Sequence, residues 1–583
     1  MDQLKIFFPR IAVLLLSFIL ACCAGQIPPS GGPPDTEPPQ IIRTDPDTNA
    51  VRVSTDRIVL EFSEYVDRRS VEESIFISPF VGELQFDWSG TEVLITFSEP
   101  LKPRTTYVVN VGTDVKDIRA GNRMAHGFTL AFSTGDSIDQ GMITGRVFDD
   151  KPEGVMIFAY ALSGLDPDTL NPATAKPDYI MQSGKDGTFT LSNIRYDRYR
   201  LLAVRDQYRN LVYDKQIDEI GMPVCDIQLS NEHPRGSNVW FRLTREDTAR
   251  PFLTRVVAVS RRQLSLRFSE PLDTLLFPQA TITLEDTLTN SPVGIMLQSL
   301  DRLDSTAAVV LTSASLDSGK TYRLSIANVR DRTGNMIDSA SSSATFEAVG
   351  TIDTASPSLT FVGLRDSVKA VPLSGIIHVH FSEPVDTLAF HSGLQLLDSA
   401  KNSVPFLIRW STVLDLWVAP KAALASNAWY SIRVQMDSLR DFWGNAYKDS
   451  VLSLNFQALD LRTTGTIEGA VLDDNPEENQ GDIVLTAERV QSQSPHTATL
   501  RLKRPGEFTI DRIPEGFYTL HAYRDRDSSG TYSFGSPFPF HPAERFVVYS
   551  DTVKVRARWS VEGVILKLPP LPGQATTSQG RQR

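Results

Sequence analysis

"RIVLEFSEYVD", Arg57–Asp67, decides the fold. Ile58, Leu60 and Phe62 alternate with Val59 and Glu61, a period of two that puts three apolar side chains on one face of a strand. The run ends in Ser-Glu and, three residues after Glu64, in Asp67. The chain repeats the phrase twice: "LSLRFSEPLD" at Leu264–Asp273 and "IHVHFSEPVD" at Ile377–Asp386. Recurrence at matched places marks a repeated building block.

Each copy sits in a longer frame. A turn and a Tyr-led strand follow, with the Tyr 45–54 residues after the Phe: "LKPRTTYVVNV" at Leu101–Val111, "LDSGKTYRLSI" at Leu316–Ile326 and "LASNAWYSIRV" at Leu424–Val434. In all three the Tyr comes six residues after the Leu. About ten residues on stand an Asp and a Gly-Asn turn: Asp117 with Gly121-Asn122, Asp331 with Gly334-Asn335, Asp441 with Gly444-Asn445. Each frame opens near a D-x-x-x-P: "DTEPPQI", "DTARPFL", "DTASPSL". One frame is about 100 residues of short strands, the size of an immunoglobulin-like sandwich.

A second repeat lies between and after these. "GMITGRVFDD" (Gly141–Asp150) matches "GTIEGAVLDD" (Gly465–Asp474), and Tyr199 in "RYRLLAV" matches Tyr518 in "FYTLHAY". Strand patterns bounded by Gly, Pro, Asn and Asp run throughout, with no helix-length apolar stripe.

The frames resemble the bacterial Ig-like domains of the Big_5 or SbsA type, whose hallmarks are a V-x-x-x-F-S-E-P-V-D strand and an L-x-x-x-T-x-Y-x-V-x-V strand. The second repeat resembles carboxypeptidase-regulatory-like, transthyretin-like β-sandwiches. The front end, with its Cys followed by "PPSGGPPDTEPP", resembles Ig-like-domain lipoproteins of bacterial envelopes. The resemblance implies an all-β chain of tandem immunoglobulin-like and transthyretin-like β-sandwiches, beads on a string. The expected division is a signal peptide at 1–21, a Pro/Gly-rich stalk at 22–36, Ig-like domains at 37–136, 248–350 and 354–458, carboxypeptidase-regulatory-like domains at 140–246 and 463–570, and a disordered tail at 571–583.

The N-terminus reads as an address. Lys5 and Arg10 precede an eleven-residue greasy run, Ile11–Ala21, too short to span a bilayer. The ending "ILACC" resembles a bacterial lipoprotein signal, which implies removal of residues 1–21 and acylation of Cys22, with Cys23 as the alternative. The other reading is an ordinary secretory signal that carries both cysteines away. Acyl chains partition at about 0.8 kcal/mol per buried CH₂, so two or three chains anchor stably. Residues 24–40 hold six prolines and three glycines, a composition that favours extended backbone and reads as a stalk.

With 58 basic and 70 acidic residues the chain carries a net −12, which argues against nucleic acid as a partner. Cys225 is the third and last cysteine, so no disulfide framework holds the cores. It lies in the strand-like "MPVCDIQL" and reads as a small buried hydrophobe.

Four motifs invite chemistry. The pairs Glu64/Asp67, Glu270/Asp273 and Glu383/Asp386 suit acid–base work or a hard cation, but a catalytic pair is rarely needed three times. Carboxylates bonding turn amides at a strand end are the plainer account. "SGKT", Ser318–Thr321, lacks the first Gly of a phosphate loop and coincides with turns in the sister frames. "RDRDSSGTYSFG" from Arg524 places Asp525, Asp527, Ser529 and Gly530 like the start of a calcium loop, but Ser536 stands at the twelfth position in place of an acid. His378 and His380 share a strand face and would suit zinc with a third ligand, but the sequence offers no obvious one, so a solvated strand face is the expected reading. No GxSxG, HExxH, GxGxxG or CxxC motif occurs.

The expected function is a non-enzymatic scaffold or spacer for protein interaction. The expected place is the cell envelope, as a lipoprotein on the outer membrane with its face left open. The membrane is met through acyl chains, the partner is an unknown protein or glycan, and no cofactor is expected; Asp525 and Asp527 are the one calcium candidate, with an ordinary turn as the plainer reading. The alternative is an adhesin or glycan-binding lipoprotein whose site, on the carboxypeptidase-regulatory-like domains, uses aromatics near Tyr532, Phe534 and Phe538.

Overall fold

The computed structural model describes residues 35–447, 450–473, 475, 481–490 and 496–572. Cys22, Cys23, the leader and nearly all of the stalk lie outside the described residues. The chain divides into two compact units. One comprises Met1–Leu165, Lys176–Leu211 and Asp226–Phe241; the other comprises Asp166–Ala175, Val212–Cys225 and Arg242–Arg583.

The architecture is nearly all strand. Helix is confined, among the described residues, to single turns such as Arg68–Glu72 and Thr387–Phe390. In the first unit, one sheet runs Ile41–Asp45, Arg57–Phe62, Glu92–Phe97, Leu84–Ser89, and a second runs Ile75–Ser78, Thr106–Val111, Phe128–Ser133. Numbered along the segment, the orders are 1-2-5-4 and 3-6-7, the strand arrangement of a constant-type immunoglobulin sandwich.

The same two orders recur twice in the second unit. Leu253–Ser260, Gln263–Phe268, Ala307–Thr312 and Ile295–Leu300 face Thr281–Asp286, Thr321–Ala327 and Ser343–Glu347. Leu359–Val362, Ile377–Phe381, Asp415–Pro420 and Phe406–Trp410 face Leu394–Asp398, Trp429–Gln435 and Val451–Ala458, the last joined by a parallel edge strand, Val368–Val371.

Alternation explains the cores. Ile58, Leu60 and Phe62 are at most 1% exposed, and Leu264, Leu266, Phe268 and Ile377, Val379, Phe381 occupy the equivalent buried places. A one-residue slip would turn all of them to solvent, so the pattern fixes the register.

The Leu-to-Tyr spacing has a bonding reason. The Tyr107 hydroxyl accepts from the Lys102 amide at 2.7 Å, Tyr322 from Asp317 at 3.1 Å and Tyr430 from Ala425 at 2.8 Å. Each ring stacks on a Phe of the last strand: Phe132, Phe346 and Phe456.

The second repeat builds sandwiches of another kind. Gly141–Phe148 pairs with Thr188–Ile194, and Arg198–Arg205 pairs with Met156–Ala161. The later copy pairs Thr464–Asp473 with Gly506–Pro514 and Ser560–Leu568, and Asp482–Arg489 with Thr497–Leu502 and Gly516–Asp525. Tyr199 and Tyr518 each donate to the carbonyl four residues back, Arg195 and Pro514, at 2.8 Å. The matched glycines are close-approach positions: a Cβ on Gly145 would sit 2.0 Å from the Val239 carbonyl oxygen, and one on Gly469 would sit 1.9 Å from that of Val564.

Within the first unit the two sandwiches are joined by more than a linker. The buried Asn110 amide donates to the Ile180 carbonyl at 2.7 Å, and Arg209 reaches Glu73 and Asp114.

Cys225 departs from the sequence expectation. It is half-buried and precedes the strand Ile227–Gln228 instead of lying within one.

Candidate functional site

The Glu and Asp of each FSE phrase part company. The Asp serves a turn. Asp67 caps Arg68–Glu72 and accepts from the Ser70 amide at 3.2 Å; Asp273 accepts from the Leu275 and Leu276 amides, and Asp386 from Leu388.

The Glu instead meets two acids far away in sequence. Asp35, Glu64 and Asp117 converge, as do Asp247, Glu270 and Asp331, and Asp353, Glu383 and Asp441. In each set one carboxylate oxygen per residue lies within 4.8 Å of the others. The first Asp is that of the D-x-x-x-P opening and the last is that of the Gly-Asn turn. Backbone bridges Val66↔Asp117, Leu272↔Asp331 and Val385↔Asp441 lay the turn beside the strand end, which is why Glu and Asp meet.

The last Asp is buried in all three sets and organises its turn. Asp117 accepts from the Ala120, Gly121 and Asn122 amides, Asp331 from Thr333 and Asn335, and Asp441 from Trp443 and Asn445. The turn's Asn then reaches the opening segment. Asn122 donates to the Asp35 carbonyl at 3.1 Å, Asn335 to that of Asp247 at 3.0 Å and Asn445 to that of Asp353 at 3.0 Å.

Burial, reinforced by the two neighbouring carboxylates, raises the pKa of Glu64 and of Glu270 and pushes Glu383 up to about 7. Such a cluster can share a proton or offer oxygens to a hard cation. The sequence displays all three members of every set in one frame. What it hides is that they converge, since Glu64 and Asp117 meet only when two loops pack.

A fourth cluster joins Asp525 and Asp527, the residues read as a calcium-loop start, to Glu544. Ser536 is not part of it. Glu544 comes in just before Phe546–Val548, which pairs with Gly516–Asp525 through Tyr523↔Phe546. That sheet pairing, with the Glu544 amide donating to the Ser533 carbonyl at 3.0 Å, brings the third acid to the loop.

His378 and His380 do not line a solvated face: each side chain is 12% exposed. Both rings contact one oxygen of Asp415 on the neighbouring strand, at 2.7 and 3.0 Å, and His378 stacks on Trp417. Asp415 is wholly buried, its Oδ1 met by the two imidazoles and its Oδ2 by the Thr412 hydroxyl at 3.2 Å.

Of the aromatics proposed as a glycan platform, Tyr532 packs edge-on against Tyr523, Phe534 and Phe546, with the Arg242 guanidinium 4.7 Å above its ring. Phe534 also lies under Arg242. Phe538 is the exposed one. Ser318–Thr321 is a turn before a strand, with Gly319 at φ +79°.

A family model for the bacterial Ig-like domain matches residues 35–134 and 353–458. No curated protein matches the chain. Among solved structures, the N-terminal part of the bacterial S-layer protein SbsC is 13% identical over 36% of this chain, with a TM-score of 0.16. The chain spans 44% of the length of that structure. L,D-transpeptidase 1 of Mycobacterium tuberculosis is 12% identical, covering 37% of this chain and 89% of its own, with a TM-score of 0.16. The FN1–FN3 domains of chicken CNTN1 are 11% identical, covering 53% and 99%, with a TM-score of 0.14. Likenesses of this size do not bear on function. The two family matches each contain a complete carboxylate set, and they mark those two segments as similar to bacterial Ig-like domains.

Proposed function

We propose that the chain is a non-enzymatic cell-envelope lipoprotein, anchored through acyl chains on Cys22 or Cys23, whose tandem β-sandwiches act as a scaffold or spacer for protein interaction. One observation carries the scaffold reading. The same carboxylate set, with the same Asn-to-carbonyl bond, occurs at the start of all three Ig-like sandwiches. An arrangement repeated once per module and bonded to the segment that leads into it is a structural joint. A reaction centre needs to exist once. The alternative, a glycan-binding lipoprotein, has less support, because Tyr532 and Phe534 are engaged within the protein and leave Phe538 alone on the surface. The anchor reading rests on the "ILACC" ending of the leader; among the described residues no helix is long and apolar enough to cross a membrane.

The test is metabolic labelling of the full-length chain with an alkynyl fatty acid in a bacterium that processes lipoproteins. Label should appear on the wild type, persist in one of C22A and C23A, and vanish in the other. Absence of label on the wild type would overturn the anchor. The same labelled cells report the scaffold: a crosslinked protein partner retained by F538A supports it, and a glycan ligand lost in F538A favours the alternative.

A further inference from the structure

We propose that Asp525, Asp527 and Glu544 form a calcium site in the last sandwich. Each offers a carboxylate oxygen within 4.8 Å of the other two. Asp525 is 1% exposed and Glu544 is 2% exposed, so two of the three acids are withdrawn from water.

Five of the six carboxylate oxygens have a donor. Glu544 Oε1 accepts from the Arg526 amide at 2.6 Å, and Oε2 from the Ser533 amide at 3.0 Å. Asp527 Oδ1 accepts from the Ser529 amide at 2.9 Å, and Oδ2 from the Ser533 hydroxyl. Asp525 Oδ2 accepts from Arg501 Nη1 at 3.2 Å and from the Gly530 amide at 3.1 Å. Asp525 Oδ1 is buried and accepts nothing. A buried anionic oxygen without a donor is among the costliest groups a fold can hold. The three repeated clusters do not share this feature among their buried Asp side chains: Asp117, Asp331 and Asp441 each have both oxygens bonded.

Charge points to a divalent ion. Three carboxylates face one guanidinium, that of Arg501, itself half exposed. When the acids are ionised, two negative charges remain. The ligands are all oxygen, which selects a hard cation. They come from an irregular loop and a strand approach, a setting that suits the variable six- to eight-oxygen shell of calcium better than the strict octahedron of magnesium. Asp525, Asp527 and Ser529 alternate along the loop, and Glu544 supplies the acid that a linear reading of the motif misses.

The experiment is calorimetric titration of the mature chain with CaCl₂ in chelator-stripped buffer containing excess Mg²⁺. Wild type and D527N are compared with an E562Q surface control. Asp527 is exposed, so D527N tests the site without opening the core. The wild type and E562Q should bind a calcium ion that D527N binds at least tenfold more weakly. E544Q, where it folds, should do the same. Tb³⁺ gives a second readout: emission sensitised by nearby Tyr523 and Tyr532 should fall in D527N. Identical calcium isotherms for wild type and D527N, or no calcium bound by the wild type at millimolar concentration, would overturn the proposal.

Discussion

The side-chain amide of Asn445 donates to the backbone carbonyl of Asp353 at 3.0 Å, closing a span of 92 residues. The same nitrogen also donates to Asp441 Oδ2 at 2.7 Å. One amide thus ties the lead-in segment of the third Ig-like sandwich to its buried turn. Removing it leaves a buried carboxylate short of a donor. N445A should destabilise this sandwich by about 1–2 kcal/mol. It should also expose the segment around Asp353 to protease. Urea denaturation with limited proteolysis reads both effects. A midpoint and cleavage pattern equal to wild type would show that the bond holds nothing.

Glu383 sets a pH dependence of definite sign. Burial, with Asp353 and Asp441 close by, pushes it up to about 7 from its ordinary 4.5. A group with a raised folded value gives its full stabilisation below the unfolded value and loses it as pH climbs through the folded one. The third Ig-like sandwich should therefore weaken between about pH 4.5 and 7, by a bound of roughly 3 kcal/mol. E383Q, which stays neutral, should flatten that slope. Chemical denaturation at several pH values checks it, and an unchanged slope in E383Q would assign the dependence elsewhere.

The three tyrosine corners can be tested one sandwich at a time. Each hydroxyl accepts one amide five residues upstream, and all three rings are buried. A Tyr→Phe change keeps the ring stack and strands that amide. Y107F, Y322F and Y430F should each cost about 1–2 kcal/mol in their own sandwich and leave the others unchanged. Hydrogen exchange resolved by segment measures this. Losses spread evenly over all the sandwiches would contradict modules that fold separately.

Much of this organisation is legible in the sequence, and the reason is periodicity. Ile58, Leu60 and Phe62 announce their face, and the Leu-to-Tyr spacing announces a corner whose bond the structure supplies. Contacts between loops are a different matter. Glu64 meets Asp117 where the backbone around Val66 bonds the segment Lys116–Ile118, and Glu544 reaches Asp525 where Tyr523 pairs with Phe546 and the Glu544 amide bonds Ser533. No local pattern encodes such meetings. His378 and His380 mislead for the same reason, since alternation places them opposite Val379 and Phe381 but says nothing of Asp415 on the next strand. Tyr532 looks like a loop aromatic until Arg242 is seen above it.

The histidine cluster gives the last test. His380 Nδ1 lies 3.0 Å from Asp415, and its Nε2 lies 3.7 Å from Asp301 in the second Ig-like sandwich. Burial works against the imidazolium, but the Asp415 hydrogen bond and the charges of Asp301 and Asp415 outweigh it and raise the pKa above 6.5. The stabilisation is complete below 6.5 and is lost as pH rises through the higher folded value. D301N removes one of the two charges and should lower the His380 value, which a proton NMR titration of the imidazole reads directly. Asp301 stands in one sandwich and His380 in the next, so the contact between them should loosen at alkaline pH. The window overlaps that of Glu383, and the two separate by variant: E383Q leaves the imidazole titration in place, and D301N leaves the glutamate's slope. A wild-type His380 titrating at or below 6.5 would remove the contact's pH dependence altogether.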